Sequence, residues 1–237
     1  MTIGKNQFSK DVVQFIQQHP DVVQIAINFI EKNPQLKKIA NHLIRAYMMI
    51  VNCFDGGGTL FLCGNGGSFA DALHISGEML KSYERKRELT AADKQKFQAI
   101  AFGDQLSRAL EYGFRVSVLR LNHSLQSAVE NDIYLPGIGY AQELFALGKK
   151  DDVLLGISTS GMAANVAYAV SVAKVKGMRT IGLTGQKGGQ LASMVDIAIK
   201  APGTATNRIQ EQHQLIYHTL CSLVEAHYFF EKKCQDG

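Results

Sequence analysis

Two hydrophobic periodicities divide the chain. In residues 8–52 apolar side chains recur near helical spacing, through Ile25, Ile27, Phe29 and Ile30, then Ile39, Leu43, Tyr47 and Ile50. This pattern predicts two helices broken near Asn33-Pro34. Helices this short are marginal alone, so the hairpin is expected to pack on the main domain or on a neighbouring subunit.

From residue 58 the pattern changes to short apolar runs, each followed by a turn and a helical stretch. Thr59–Cys63 leads through Gly64-Asn65-Gly66-Gly67-Ser68 into a helix from Phe69 to about Tyr83. Arg115–Leu121 precedes a helix through Leu125 and Val129. Asp152–Ile157 is closed by Ser158-Thr159-Ser160-Gly161 and followed by a helix to Lys176. Arg179–Gly185 repeats the unit and Asp196–Lys200 supplies a fifth strand. Strands alternating with helices predict an α/β chain, a three-layer α-β-α sandwich on a central parallel sheet. Right-handed crossovers place the strand-end loops on one edge of that sheet, where ligands are expected. A long helix from Thr206 to about Glu231 carries an apolar stripe of Ile209, Ile216, Leu220, Leu223 and Val224. Its polar stripe holds Glu211, Gln214, His218 and Glu225. The organisation read from this is a helical hairpin over 1–53 and an α/β domain over 54–237. Residues 84–113 form an insertion in that domain, with a helix start at Leu89–Asp93 and an ambiguous run at Phe97–Phe102.

Composition narrows the function classes. A chain of 237 residues, 46% hydrophobic and 19% charged, has an ordinary globular balance. The net charge of +4 is mild. The run Glu84-Arg85-Lys86-Arg87-Glu88 mixes signs and has no interleaved aromatics, so it reads as a solvated face and not as a nucleic-acid patch. No apolar run reaches the roughly 18 residues needed to cross a bilayer. The four cysteines, Cys53, Cys63, Cys221 and Cys234, lack metal or redox spacing and read as reduced cytosolic thiols.

Gly64–Ser68 and Ser158–Gly161 both sit where a strand feeds a helix. Glycines let the backbone approach an anion, and the free N–H groups of a first helical turn favour a phosphate there. Either loop alone is also explained by a tight turn with a Ser or Thr N-cap. Two on one sheet edge favour a small phosphorylated ligand, and neither has the Lys-Ser/Thr pair of a nucleotide-binding loop. His74 and Glu78, four residues apart, share one helix face. Alone, that spacing reads first as an i,i+4 surface pair. Gln210 and His218 lie about 12 Å apart along the last helix, which is wide for two ligands of one ion.

Taken together, Gly64-Asn65-Gly66-Gly67-Ser68, His74-x-x-x-Glu78, Asp152–Gly161, Ile181–Gly185 and Arg208-Ile209-Gln210-Glu211-Gln212-His213 resemble the phosphoheptose isomerases of the SIS (sugar isomerase) domain family. The resemblance runs in order over about residues 40–230 and implies a flavodoxin-like SIS fold. It further implies a cytoplasmic homotetramer with active sites at subunit interfaces, acting on a small phosphorylated sugar, with one zinc ion per site. The positions matching the metal ligands are His74, Glu78, Gln210 and His218. Those matching the phosphate contacts are Ser68, Ser158, Thr159 and Ser160, and Gly66 and Gly67 of the first loop count toward the substrate site. Asn65 and Asp132 match residues that contact substrate hydroxyls, and Gln210 also counts toward the substrate. The implied reaction is enediolate proton transfer, with Glu78 as base and His218 as acid/base partner. Three features depart from the family pattern. Met162-Ala163 stands where Asn-Ser is common, Ser82 where some relatives have arginine, and the stretch between Glu78 and Asn131 is longer than in compact members. Two alternatives stay open, a non-catalytic SIS protein that binds a partner such as a replication initiator and an isomerase for another phosphosugar.

Overall fold

The apolar runs pair as β1 (Leu60–Gly64), β2 (Val116–Val118), β3 (Val153–Ser158), β4 (Arg179–Gly185) and β5 (Ile197–Ala201) in a computed structural model that describes residues 8–229. The strands form one parallel sheet in the order β2-β1-β3-β4-β5. Leu60 and Leu62 of β1, with Val153, Leu155 and Ile157 of β3, face one apolar layer. Phe61, Cys63 and Leu154 face the other. Burial on both faces is why these strands read as unbroken apolar runs.

The first layer is built from α1 (Lys10–Ile16), α2 (Pro20–Lys32), a 3-10 turn (Pro34–Ile39), α3 (Ala40–Asp55), α4 (Gly67–Leu80) and α11 (Thr206–Tyr228). Here the N-terminal region differs from two helices. Beyond the break at Asn33, the chain breaks again before Pro20, whose ring suits only the first turn of a helix. The opposite layer holds α8 (Gly139–Leu147), α9 (Ala164–Val175) and α10 (Gly189–Met194), with α7 (His123–Asp132) beside α8. Strand β2 is shorter than its apolar run because Arg120 takes φ +74°, outside extended backbone. The Glu231 end of the last helix and Cys234 lie outside the described residues.

Residues 84–113 leave the domain between α4 and β2 and carry α5 (Ala91–Gln95) and α6 (Gly103–Ala109). Thr90 caps α5 by accepting from the Asp93 N–H at 3.2 Å. Phe97–Phe102 is neither helix nor strand but a series of turns, with positive φ at Ala99 and Phe102.

Two expectations are corrected at the base of this excursion. Arg87 does not lie on a solvated face, and Glu225 does not lie in a polar stripe, for both side chains are fully buried and paired at 2.7 Å. The physical reason is the end of α4, whose last carbonyls have no partner inside the helix. Arg87 turns back and donates to the carbonyls of Met79 at 2.8 Å and Glu78 at 2.9 Å. Glu225 of α11 accepts the backbone N–H groups of Tyr83, Glu84 and Arg85 at 2.8–2.9 Å. Arg85 continues the tie to Asp21 of α2 at 2.6 Å.

Two strand-end turns require glycine. Gly66 has φ +55° with open space where a Cβ would stand. Gly161 has φ +67°, and there a Cβ would strike the Gly188 carbonyl and approach Gly189 Cα at 3.0 Å.

Removing one partner of a buried pair strands the other charge, so Arg87→Met should lower the unfolding free energy by about 3–5 kcal/mol in urea titration. A loss below about 1 kcal/mol would show the pair to be incidental to the fold. Gly66→Ala should cost about 1–3 kcal/mol from backbone strain alone. Gly161→Ala should cost more in the same titration, because a neighbouring backbone must also move. Equal costs would mean that the Gly161–Gly188 contact relaxes freely.

Candidate active site

The strand order turns at β1 and β3, whose next connections leave in opposite directions, and a crevice opens beyond their carboxyl ends. Both glycine and serine loops emerge there, since Gly64 pairs with Ile157 in the ladder. The side-chain amides of Asn65 and Asn165 join the loops through two reciprocal hydrogen bonds of 2.9 and 2.8 Å. The Tyr140 hydroxyl donates to the Gly64 carbonyl and sits 3.4 Å from Asn65 Oδ1. A cleft of about 440 Å³ follows, lined by Asn65, Gly66, Phe69, Arg120, His123 and Glu130 among others. A larger groove of about 1150 Å³ lies between α3 and β5 and reaches Asp151 and Arg179 beside the amino ends of β3 and β4, so it takes in none of these loops.

The predicted loop residues are not equivalent. Ser68 and Ser158 are buried and Thr159 is half-buried, while Asn65, Gly66, Gly67 and Ser160 are exposed. Ser158 Oγ accepts from the Gly161 N–H and Ser160 Oγ from the Met162 N–H, both at 3.1 Å, so these hydroxyls shape the turn. Each keeps its own hydrogen to donate. Asp132 is the residue the structure leaves apart. It ends α7 on the surface, its carboxylate accepts from Asn131 at 2.8 Å, and it is absent from the cleft lining.

Helices α4 and α11 pack side by side and meet at successive levels. At the first, Gln210 covers Gly67 so closely that a Cβ there would fall on the Gln210 amide. At the second, His74 Nε2 lies 3.2 Å from Glu78 Oε1 and 3.3 Å from His218 Nε2. One donor atom from each of these three residues lies within 4.8 Å of the others. Two imidazoles and a carboxylate at that spacing suit a divalent ion such as zinc. The fourth predicted ligand, Gln210, is placed at the loop level, as its separation along the helix anticipates.

Behind this cluster lie residues that motif reading did not single out. The Tyr217 hydroxyl is 3.0 Å from His74 Nδ1, and Asp71 stands one turn before His74 on α4. Burial raises the Asp71 carboxyl to about 6, against the lowering influence of the nearby His74 and Tyr217. Burial and the neighbouring His74 hold His218 below its ordinary value, partly offset by Glu78 and Glu84. Tyr217 follows the apolar residue Ile216, so its pattern reads as packing and gives no signal of this contact. His213 is buried with Nε2 3.1 Å from the Thr184 carbonyl, and burial lowers it to about 4.

The SIS domain family model matches residues 122–185. The phosphoheptose isomerase of Roseiflexus sp. (strain RS-1) is 32% identical over 231 residues, spanning 98% of this chain and all of that protein. That of a Nitratiruptor species is 36% identical over 184 residues, 78% of this chain and 85% of its own. Among solved structures, the phosphoheptose isomerase of Neisseria gonorrhoeae superposes with a TM-score of 0.64 at 29% identity, covering 89% of this chain and 97% of that one. With this identity carried over nearly the whole length and on the same fold, the chain belongs to the phosphoheptose isomerases, an isomerase family built on the SIS domain.

Proposed function

We propose that this protein interconverts sedoheptulose 7-phosphate and glycero-manno-heptose 7-phosphate, with Glu78 and His218 moving the protons. The observation that carries the reading is one helix that begins at a phosphate-type loop and bears His74 and Glu78 farther along, opposite His218. His74 lies seven residues from Gly67, about 10 Å along the axis. An extended seven-carbon chain with a terminal phosphate spans a comparable distance. The phosphate is assigned to Gly66, Gly67, Ser68, Ser158, Thr159 and Ser160, and the sugar hydroxyls to Asn65 and Gln210. Asp132, outside the cleft lining, is assigned to substrate on the resemblance alone.

In the ketose-to-aldose direction Glu78 takes a proton from C1, leaving an enediolate, exchanges it with solvent and delivers a proton to C2. His218 takes the O1 proton and delivers one to O2, which leaves an aldehyde at C1. Glu78 Oε1 faces His74, and the other carboxylate oxygen serves as base. Partial burial strengthens each of these interactions relative to water. A divalent ion, zinc in our reading, held by His74, Glu78 and His218, would supply polarisation of the carbonyl when bound, while Gln210 stays at the loop level as a substrate contact. The reading extends to a cytoplasmic homotetramer with interfacial sites. Exposed apolar side chains at Leu121, Ile133, Tyr134 and Leu135 support a partner surface.

Incubation of zinc-loaded protein with sedoheptulose 7-phosphate in deuterated water should yield an aldoheptose phosphate with deuterium at C2. Glu78→Gln should slow this about 10²–10⁴-fold. Wild-type protein that neither turns over nor exchanges would overturn the substrate, and turnover of another phosphosugar alone would replace it. Light scattering should give four chains per particle, and a stable monomer with full activity would remove the interfacial site.

A further inference from the structure

The His74 imidazole is addressed on both nitrogens. Its Nε2 faces Glu78 and His218, and its Nδ1 faces the Tyr217 hydroxyl at 3.0 Å. Tyr217 and His218 are consecutive on α11 and therefore diverge around the helix. Tyr217 turns inward and is 2% exposed, while His218 stays half-buried beside the opening. Both rings meet His74 edge-on, with centroids 5.4 Å away at 65° for Tyr217 and 4.8 Å away at 82° for His218. Asp71 precedes His74 by three residues and so shares its face of α4. One Asp71 oxygen, Oδ2, is buried without a hydrogen bond to any described residue. The Tyr217 hydroxyl is close enough to this carboxylate to influence its ionisation.

These contacts admit two proton arrangements, and the unpartnered Asp71 oxygen favours the one that follows. With Nε2 left as an acceptor toward the cluster, the imidazole hydrogen sits on Nδ1 and is donated to the Tyr217 oxygen. The phenol hydrogen is then free to point at Asp71, which satisfies the buried carboxylate. We propose that Tyr217 and Asp71 form a positioning relay behind His74, which fixes the ring angle and presents Nε2 as the metal-binding nitrogen. The proposal rests on the metal reading of His74, Glu78 and His218. Neither relay residue touches substrate, so both act through His74. Partners of this kind set the tautomer of a ligating histidine, and their loss weakens metal binding about 10–100-fold.

Tyr217→Phe keeps the ring and removes the hydroxyl. Cobalt(II) binding, followed by its visible absorption and by chelator competition, should weaken about 10–100-fold with an unchanged melting temperature. In the metal-free protein, the ¹⁵N shifts of His74 should report hydrogen on Nδ1 in the wild type and a mixture of tautomers in Tyr217→Phe. Asp71→Asn, which can still accept from Tyr217, should give the same changes at smaller size. Wild-type cobalt affinity in Tyr217→Phe with an unmoved His74 tautomer would overturn the relay while leaving the metal reading intact. Wild-type protein that binds no cobalt, or binds it equally well after His218→Ala, would remove the metal reading and the relay with it.

Discussion

The buried ion pair between Arg87 and Glu225 holds the two site-bearing helices in one arrangement. Withdrawing both charges from water is expensive, and attraction between them repays that only when the remaining hydrogen-bonding capacity is met. Here it is met closely. The carboxylate accepts three consecutive backbone N–H groups besides the guanidinium, and the guanidinium closes the open carbonyls of α4. The Arg87 guanidinium also lies over the Phe114 ring at 4.8 Å, which shields it further. Two helices distant in sequence thus share one end point.

From that end point the levels of contact follow along both helices. Glu225 meets the segment after α4, His218 meets His74, and Gln210 meets Gly67. Steps of seven and eight residues are two helical turns, so each α11 residue in the series returns to the same face. The ends of the series have different tasks. At one, glycine lets a polar side chain lie against the helix start where an anion is favoured. At the other, a buried ion pair resists sliding. Between them sits the cluster suited to proton transfer, on rigid helices and not on loops, which favours a fixed geometry.

The sheet supplies the second constraint. Because β1 and β3 are neighbours and parallel, the loops that leave them must lie side by side, and the Asn65–Asn165 amide pair secures that contact. Partial desolvation then sets the electrostatics, with Asp71 raised to about 6 and His218 lowered.

Much of this is legible in the chain. The parallel sheet, its strands and both glycine-bearing loops follow from apolar runs, alternation and turn chemistry, all of which act within a few residues. Helix geometry alone places His74 and Glu78 on one face, and the family motifs mark His218 and Gln210. The Arg87–Glu225 pair is hidden there, because a charged run and a helical stripe look solvent-facing until their partner 138 positions away is known. Tyr217 gives no signal for the same reason, since its contact with His74 spans 143 positions. Local sequence determined the elements and the residue types available for chemistry. Which of them meet was decided by packing, because burial and charge pairing depend on surfaces that exist only once the helices are side by side.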